Sequence, residues 1–272
     1  MRFNIRCDME GVTGVTSYDQ VVPGSRYYEE GRGLLMHDLL AVVEGILSEA
    51  PGSEIWIFDE HYQGRNVRVL ELPPEARYVS GKPRYTPENP GYIASCQAMF
   101  LVGFHAKTGA EGGTLPHTYE HDILDIVVNG TSVGEVGMEA MIAGQFGVPT
   151  VFYSGDSAGA DELRALIPGV VCVAVKESVS EGAAVCLSGS LTRKLLREGA
   201  AEAVRRCRSI EPLRAGEPVE MKIKLRPGPY RRALQGIKPE WFLEPDWVTI
   251  AAPNVAEAYA EYWYWKERAL AV

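Results

Sequence analysis

The sequence predicts an α/β protein with two domains, a larger one over residues 1–180 and a smaller α+β domain over residues 181–272. In the first part of the chain, short apolar runs alternate with segments of helical periodicity, which is typical of an α/β domain. The run at residues 98–104 is almost entirely apolar, as expected for a parallel strand buried on both faces. We therefore expect a Rossmann-like α/β/α arrangement in the first domain. The regular alternation ends near residues 178–188, which places the boundary there.

Individual elements follow from periodicity and from residues that end or turn the chain. Residues 2–7 form an apolar run that predicts the first strand. Residues 27–50 have the periodicity of a helix, which Pro51 and Gly52 end. Further strands are expected at 54–58, 77–80 (within a proline-rich loop at 62–92), 98–104, 123–128, 131–133, 150–154, 170–175, 219–225 and 247–251. Further helices are expected at 134–146, 160–167, 190–208 and 255–270.

Composition and charge narrow the class of protein. Hydrophobic residues make up 46% and charged residues 23% of the chain, as in ordinary globular proteins. A net charge of −9 and a pI near 5.2 argue against nucleic acid or an anionic membrane as the main partner. The five cysteines are scattered and form no Cys-x-x-Cys pair, so neither a disulfide framework nor a thiolate zinc site is supported. Since the first strand begins near Met1 and no apolar run approaches bilayer length, we expect a cytoplasmic protein.

Residue types that bind metals follow three of the apolar runs. Asp8 and Glu10 come two residues apart after the first run, so extended backbone would point both carboxylates to one side. His61 follows the second run, His105 follows the third, and Glu135 opens a predicted helix. Ligands of open α/β sheets bind beyond the carboxyl ends of the strands, and close like charges are costly without a cation between them. The sequence therefore predicts a metal site, whereas an acidic turn is the alternative for Asp8 and Glu10 taken alone.

Charge balance indicates how many ions such a site would hold. One zinc ion with three carboxylates would keep an excess of negative charge, whereas two divalent ions, three carboxylates and one hydroxide sum to zero. The five candidate ligands can serve two ions if Asp8 bridges them. Imidazole and carboxylate suit Zn²⁺, with Mn²⁺ or Co²⁺ as alternatives. Two such ions about 3.5–4 Å apart would lower the pKa of a shared water and polarise a carbonyl.

The other histidines have different predicted roles. His117 follows His105 across a glycine-rich loop, so it need not be a ligand. At the rim of the site it would move protons or stabilise a tetrahedral intermediate. The alternative is a loop histidine bonded to backbone. We expect His121 to be a surface or structural histidine and His37 to lie on a helix surface.

Four short segments carry a resemblance to a known family: Asp8-Met9-Glu10-Gly11-Val12-Thr13-Gly14, Asp59-Glu60-His61, Gly103-Phe104-His105-Ala106 and Val133-Gly134-Glu135-Val136-Gly137. They resemble the motifs of the M55 family of D-aminopeptidases. The resemblance covers most of the chain and is most specific in the first 180 residues. It implies a catalytic role for His117 and two zinc ions per subunit, held by Asp8, Glu10, His61, His105 and Glu135.

The resemblance also implies assembly into a ring-shaped homo-oligomer, a decamer, whose active sites open onto an internal chamber. The last predicted helix carries aromatic residues that suit packing against another subunit or packing within the core: Tyr259, Tyr262, Trp263, Tyr264 and Trp265. The loop before His117 is slightly longer than the family pattern, and the carboxy-terminal third matches only loosely. Subunit contacts and substrate selection therefore stay open.

We expect a zinc-dependent aminopeptidase that hydrolyses the N-terminal peptide bond of short peptides containing D-residues, of the D-Ala-D-Ala type, with a metal-activated water. One alternative is another two-metal amidase or a phosphoester hydrolase, for which Arg65 and Lys107 are the nearby basic residues. A second is a peptide-binding protein linked to dipeptide transport. A third is a metal-stabilised assembly subunit without activity, in which His117 would have no use.

The segment from Gly155 to Gly159 matches the Gly-x-Ser-x-Gly pattern of a serine hydrolase. That fold requires a histidine after the serine, and no histidine follows His121 in this chain. We therefore expect Ser157 in a turn or helix cap and Asp156 as an N-cap, with support of the metal ligands from behind as the alternative for Asp156.

Overall fold

The structure is a computed structural model, and it describes residues 1–82 and 91–270. The strands are β1 (Arg2–Cys7), β2 (Glu54–Asp59), β3 (Ala76–Val79), β4 (Ala98–Phe104), β5 (Ile123–Val128), β6 (Thr131–Val133), β7 (Thr150–Asp156), β8 (Val171–Ser180), β9 (Ala183–Cys186), β10 (Val219–Leu225) and β11 (Trp247–Ala252). The helices are α1 (Tyr28–Glu49), α2 (Gly91–Ala94), α3 (Glu135–Gln145), α4 (Ser157–Leu166), α5 (Gly189–Arg206), α6 (Pro229–Ile237) and α7 (Val255–Leu270). Part of the predicted proline-rich loop, residues 83–90, lies outside the described residues.

A seven-stranded sheet of order β3-β2-β1-β4-β7-β8-β9 forms the centre of the fold. Within this sheet, strands β3, β2, β1, β4, β7 and β8 are parallel, and β9 pairs with β8 in the antiparallel direction. Helices α1 and α5 pack on each other and contact the sheet, as do α3 and α4. Strand β4 is buried along its whole length, as its apolar sequence predicts. The predicted α/β/α arrangement is confirmed.

A second sheet is antiparallel and has the order β11-β10-β5-β6. The predicted hairpin is confirmed, since Asn129 and Gly130 join β5 to β6 with φ angles of 46° and 84°. Strand β10 pairs with both β5 and β11, so this sheet combines strands from both sides of residue 180. Helix α5 follows residue 180 and packs on α1. The division into two domains, residues 1–180 and 181–272, stays a prediction.

Most predicted elements are confirmed to within a few residues, and the structure adds α2, β9 and α6. Helix α6 begins at Pro229 and buries Tyr230 and Leu234, and two apolar positions are too few to reveal a periodicity. Strand β9 lies at the edge of the large sheet and has no buried residue. Both elements are therefore fixed by tertiary packing more than by their own sequence pattern.

Two glycines let the ends of β1 and β4 approach each other closely. A Cβ atom on Gly11 would lie 1.7 Å from the carbonyl oxygen of Phe104. A Cβ atom on Gly103, whose φ is +74°, would lie 2.3 Å from the carbonyl oxygen of Asp8. The backbone N–H of Asp8 donates to Val102 at 2.9 Å, and that of Gly11 donates to Gly103 at 2.8 Å. The segment after β1 is therefore held against the end of β4 by backbone contacts.

The last helix, α7, packs within the core of this chain. Tyr259 and Tyr262 are buried, and Trp263 and Trp265 pack against the hydrophobic core. Tyr264 is 46% exposed, and it is the one exposed residue of this aromatic set. Of the two uses that the sequence left open for these aromatic residues, core packing is therefore confirmed. Within residues 1–82 and 91–270, no helix combines the length and apolar character needed to cross a bilayer.

Candidate metal centre

The carboxyl ends of three neighbouring strands converge on one site. Strands β2, β1 and β4 are adjacent in the sheet, and they are followed within two residues by His61, Asp8 and His105 respectively. Glu10 lies two residues beyond Asp8, and Glu135 is the first residue of α3. All five side chains are buried, with residue exposures of at most 8%. The structure thus brings together the residues that were predicted as ligands from their positions after strands.

Asp8 lies between the two histidines. Its Oδ1 atom is 3.1 Å from Nδ1 of His61, and its Oδ2 atom is 3.3 Å from Nε2 of His105. Nδ1 of His61 is also 3.0 Å from Oε2 of Glu10. Nε2 of His105 is also 3.3 Å from Oε1 of Glu135. Each histidine is therefore paired with Asp8 and with one further carboxylate, so Asp8 is the residue shared by the two halves of the cluster.

The cluster contains polar atoms that a bound cation would satisfy. Within the described part of the chain, Oδ2 of Asp8, Oε2 of Glu10 and Nε2 of His105 are buried and form no hydrogen bond of good geometry, although each lies 3.0–3.3 Å from an atom of a neighbouring side chain. Buried polar atoms are normally paired, so these call for a further partner. Ligand atoms of Asp8, Glu10 and His105 lie within 4.8 Å of one another, as do those of His105, His117 and Glu135. Carboxylate oxygen and imidazole nitrogen are ligands of zinc, so the residues fit a metal ion.

Backbone carbonyl groups fix the orientation of both histidines in the cluster. Nε2 of His61 lies 2.8 Å from the carbonyl oxygen of Val21, and Nδ1 of His105 lies 3.0 Å from that of Ala106. A carbonyl oxygen only accepts, so these ring nitrogens carry the proton. The opposite nitrogens, Nδ1 of His61 and Nε2 of His105, face the carboxylates. A carbonyl partner of this kind commonly orients a metal-binding histidine.

The charges of the cluster shift one another's pKa. Burial disfavours the charged form of Asp8, but the neighbouring His105 and His61 outweigh it and hold its pKa well below the usual value. Burial also disfavours charge on His61, but Glu10 and Asp8 raise its pKa well above the usual value. Glu135 and Asp8 raise the pKa of His105 against the effect of burial in the same way. Without metal, the two histidines would therefore carry protons that balance the carboxylates.

His117 lies directly beside this cluster. Its ring stacks on that of His105, with centroids 4.0 Å apart and planes at 6°. Its Nδ1 atom donates to the carbonyl oxygen of Leu115 at 3.0 Å, which leaves Nε2 free to accept a proton. Nε2 lies 4.0 Å from Oε1 of Glu135. The position suits proton transfer at the edge of the site, although this side chain is also close enough to share a metal with His105 and Glu135.

The two remaining histidines differ in their relation to the site. His121 is exposed, and its ring centroid lies 5.4 Å from that of His117. His37 lies on α1, with Nδ1 2.9 Å from Oδ1 of Asp38 and Nε2 3.0 Å from the carbonyl oxygen of Gly189. The hydrogen bond to Asp38 raises the pKa of His37. His37 therefore ties α1 to the start of α5, a role beyond the bare helix surface that was expected for it.

Comparison with known proteins agrees with this geometry. The model of the peptidase M55 family, described as D-aminopeptidase, matches residues 1–261. This chain belongs to the M55 peptidase family. A D-aminopeptidase of Bacillus subtilis strain 168 is 30% identical over 214 residues, which cover 78% of this chain and 77% of that protein. A solved structure described as the Zn-dependent D-aminopeptidase DppA from Bacillus subtilis, a self-compartmentalizing protease, superposes with a TM-score of 0.89 at 27% identity. It covers 100% of this chain and 99% of that one.

Beside the five predicted ligands lies a buried ionic cluster that the sequence reasoning missed. Arg6 is 1% exposed and contacts the carboxylates of Glu60 and Glu139, and Lys82 also contacts Glu60. Burial raises the pKa of Glu139 to about 7 against the effect of Arg6. Burial opposes charge on Glu60, but Lys82 and Arg6 lower its pKa to about 2. The signal that could have revealed this cluster was Arg6, a charged residue next to Ile5 and Cys7 inside the first predicted strand.

A cavity of about 1340 Å³ connects the cluster of predicted ligands with α7. Asp8, Glu135 and His117 line one part of it, and Tyr259 and Trp263 of α7 line another. Tyr119 contacts both parts of this lining. Its backbone N–H donates to Oε1 of Glu135 at 2.6 Å, and its ring centroid lies 5.5 Å from that of Trp263. The carboxy-terminal helix therefore forms a wall of the site.

Proposed function

We propose that this chain is a zinc-dependent aminopeptidase that hydrolyses the N-terminal peptide bond of short peptides containing D-residues. The observation that carries the proposal is the buried set of three carboxylates and two histidines, whose ligand-type atoms converge on one another and include atoms that make no hydrogen bond of good geometry. Membership of the M55 family and likeness to a Zn-dependent D-aminopeptidase support the metal and the reaction. The other two-metal hydrolases and the transport-linked binding protein receive no support from these comparisons.

The proposed ligands form two sets that share Asp8. One set contains Glu10 and His61, and the other contains His105 and Glu135. This division follows the contacts that each histidine makes, and it supports two zinc ions per subunit, with Mn²⁺ or Co²⁺ as substitutes. Zinc supplies Lewis acidity that activates a water and polarises the scissile carbonyl.

The residues of this chain contribute proton transfer and charge selection. His117, held through Nδ1 by the carbonyl group of Leu115, would accept or deliver a proton at Nε2. Its stacking on His105 keeps water from one face of the ring. Carboxylates outnumber the ammonium groups of Lys82 and Lys266 among the residues that line the cavity. A negative cavity attracts the positively charged amino terminus of a peptide, which supports an exopeptidase.

We also propose that the chain self-associates into a ring-shaped homo-oligomer, a decamer, in the cytoplasm. The related structure is described as self-compartmentalizing, which supports assembly. Large apolar side chains are exposed at Val185 on the edge strand β9, at Val179 on the neighbouring strand β8, and at Leu243. Such exposed apolar residues are candidates for subunit contacts. Light scattering of the purified protein would give the subunit number, and cell fractionation would give the location.

The function is tested by hydrolysis of D-Ala-D-Ala, L-Ala-L-Ala and N-acetyl-D-Ala-D-Ala by zinc-loaded protein. The proposal predicts cleavage of D-Ala-D-Ala, faster than that of the L-peptide and of the acetylated peptide. Chelation of the metal and the His117→Ala substitution should each abolish most of this activity. Failure to cleave the dipeptides with zinc bound would refute the assigned substrate. Equal cleavage of the acetylated peptide would refute the aminopeptidase assignment.

A further inference from the structure

Two neighbouring strands of the large sheet carry buried residues of opposite charge at paired positions. Lys176 lies on β8 and Asp156 ends β7, and the two are partners in the register of these strands. Their residue exposures are 2% and 0%. Neither is among the proposed metal ligands, and each holds a different loop of the active site by hydrogen bonds to its backbone.

Lys176 holds the segment that carries Glu10. Its ammonium group donates to the carbonyl oxygens of Glu10, Val12 and Val15 at 2.5, 3.1 and 2.5 Å. An ammonium group has three N–H donors, so these three carbonyl groups use its full capacity. All three acceptors lie in one stretch of chain that begins directly after β1. The ammonium group of Lys176 therefore holds together the backbone of residues 10–15.

Asp156 holds the loop that carries His117. Its Oδ2 atom accepts from the backbone N–H of Thr114 at 2.7 Å, and its Oδ1 atom accepts from that of Gly159 at 2.9 Å. The second contact is the predicted N-cap of α4. The first fixes the loop just before Leu115, which has a φ of +54° and whose carbonyl oxygen accepts from Nδ1 of His117. A non-glycine residue in this conformation persists only where its surroundings enforce it.

We propose that Lys176 and Asp156 are positioning residues with separable effects, Lys176 on zinc affinity through Glu10 and Asp156 on turnover through His117. The inference rests on the proposed function for its second half, since turnover requires a substrate. Its first half concerns zinc binding alone. The separation follows from the contacts, because Lys176 touches the segment of a ligand and Asp156 touches the loop of a residue that acts beside the ligands.

The first experiment replaces Lys176 with methionine, which keeps most of the side-chain volume and removes the charge. Zinc affinity is measured by competition with a chromophoric chelator. We expect the Kd for zinc to rise about 10–100-fold, as when other residues that orient metal ligands are removed. Lys194→Met, at an exposed lysine of α5, is the matched control and should leave the Kd unchanged.

A second variant separates the loss of the cation from a general loss of folding. Lys176→Ala should raise the Kd for zinc, and the atoms that it removes correspond to n-propylammonium. When this ion is added to the solution, it should occupy the vacated space and lower the Kd of the variant toward the wild-type value. Circular dichroism and thermal unfolding establish that each variant is folded. Wild-type zinc affinity in folded Lys176→Met, or Lys176→Ala that n-propylammonium does not rescue, would overturn the role of Lys176.

The second experiment uses Asp156→Asn. An amide has a single acceptor oxygen, so it cannot serve both Thr114 and Gly159. We expect kcat for D-Ala-D-Ala to fall about a hundredfold, the size of effect associated with a misplacement of about 1 Å, while the Kd for zinc stays as in the wild type. Asp161→Asn, at an exposed aspartate of α4, is the control and should match the wild type.

The outcomes separate this inference from the function on which it rests. An unchanged kcat in Asp156→Asn, or a loss of zinc affinity equal to that in Lys176→Met, would overturn the assignment of separate roles. If the wild-type protein binds zinc and cleaves none of the peptides, the proposed function fails, while the zinc measurements on Lys176→Met still decide the role of Lys176.

Discussion

Replacing Gly11 with alanine should weaken zinc binding and destabilise the fold, because the added methyl group has no room. Its Cβ atom would lie 1.7 Å from the carbonyl oxygen of Phe104, and contacts under 3.0 Å are essentially never found. The segment after β1 would have to move by about 1.3 Å, and Gly11 directly follows the proposed ligand Glu10. Overpacking typically costs about 1–3 kcal/mol, and a displacement of about 1 Å can reduce activity about a hundredfold.

The assay combines urea unfolding of the metal-free protein with zinc titration and kcat/KM for D-Ala-D-Ala. Gly33→Ala is the matched control, because this glycine lies within α1 and the nearest atom to a new Cβ, Nη2 of Arg68, is 4.0 Å away. We expect the control to raise the free energy of unfolding by about 0.5–1 kcal/mol, as alanine favours a helix over glycine. The reasoning is wrong if Gly11→Ala keeps wild-type stability and zinc affinity.

Three further predictions concern the histidines. Because the carboxylates raise the pKa of His61 and His105, zinc binding should release protons, and zinc affinity should increase as pH rises from 6 to 8. Calorimetry in buffers of different ionisation enthalpy measures the number of protons released, and a value of zero would contradict this prediction. His117→Ala should lower kcat about 10²–10⁴-fold with zinc content unchanged, whereas loss of zinc would make it a ligand. The raised pKa of His37 stabilises the fold below about pH 6.5, and this contribution is lost as pH rises through the raised value. His37→Gln should therefore lower Tm more at pH 6 than at pH 9, and an equal loss at both pH values would contradict the role of its charge.

The metal cluster was accessible to sequence reasoning because its members follow strands. The carboxyl ends of parallel strands lie at one edge of a sheet, and the structure makes β2, β1 and β4 neighbours, so Asp8, His61 and His105 come together there. Glu135 was found from its position at a helix start. Their positions after strands and at a helix start can be identified from local sequence pattern, whereas the spatial order of the strands comes from the structure.

The residues that support the cluster were not accessible in this way. Lys176 and Arg6 were visible as charged residues at or within apolar strands, but their partners lie more than fifty positions away in the sequence. Asp156 was predicted as an N-cap. Its other contact, with the backbone N–H of Thr114, depends on the conformation of the loop that carries His117. Such contacts arise from loop conformation, which neither periodicity nor strand order specifies.

The pairing of β5 with β10 shows the same limit on a larger scale. The hairpin of β5 and β6 was recognised from its turn, yet nothing in that turn indicated that it joins strands near the carboxyl terminus. Helix α7 likewise had a clear periodicity and an unexplained aromatic content. Its role as a wall of the active-site cavity follows only from its position against Tyr119.

The central claim is a two-zinc centre in which Asp8 is shared by both ions. Anomalous diffraction at the zinc absorption edge, on crystals of zinc-loaded protein, tests it most directly. We predict two anomalous peaks per chain on either side of Asp8, one beside Nδ1 of His61 and one beside Nε2 of His105. A single peak, or two peaks of which one makes no contact with Asp8, would contradict the account.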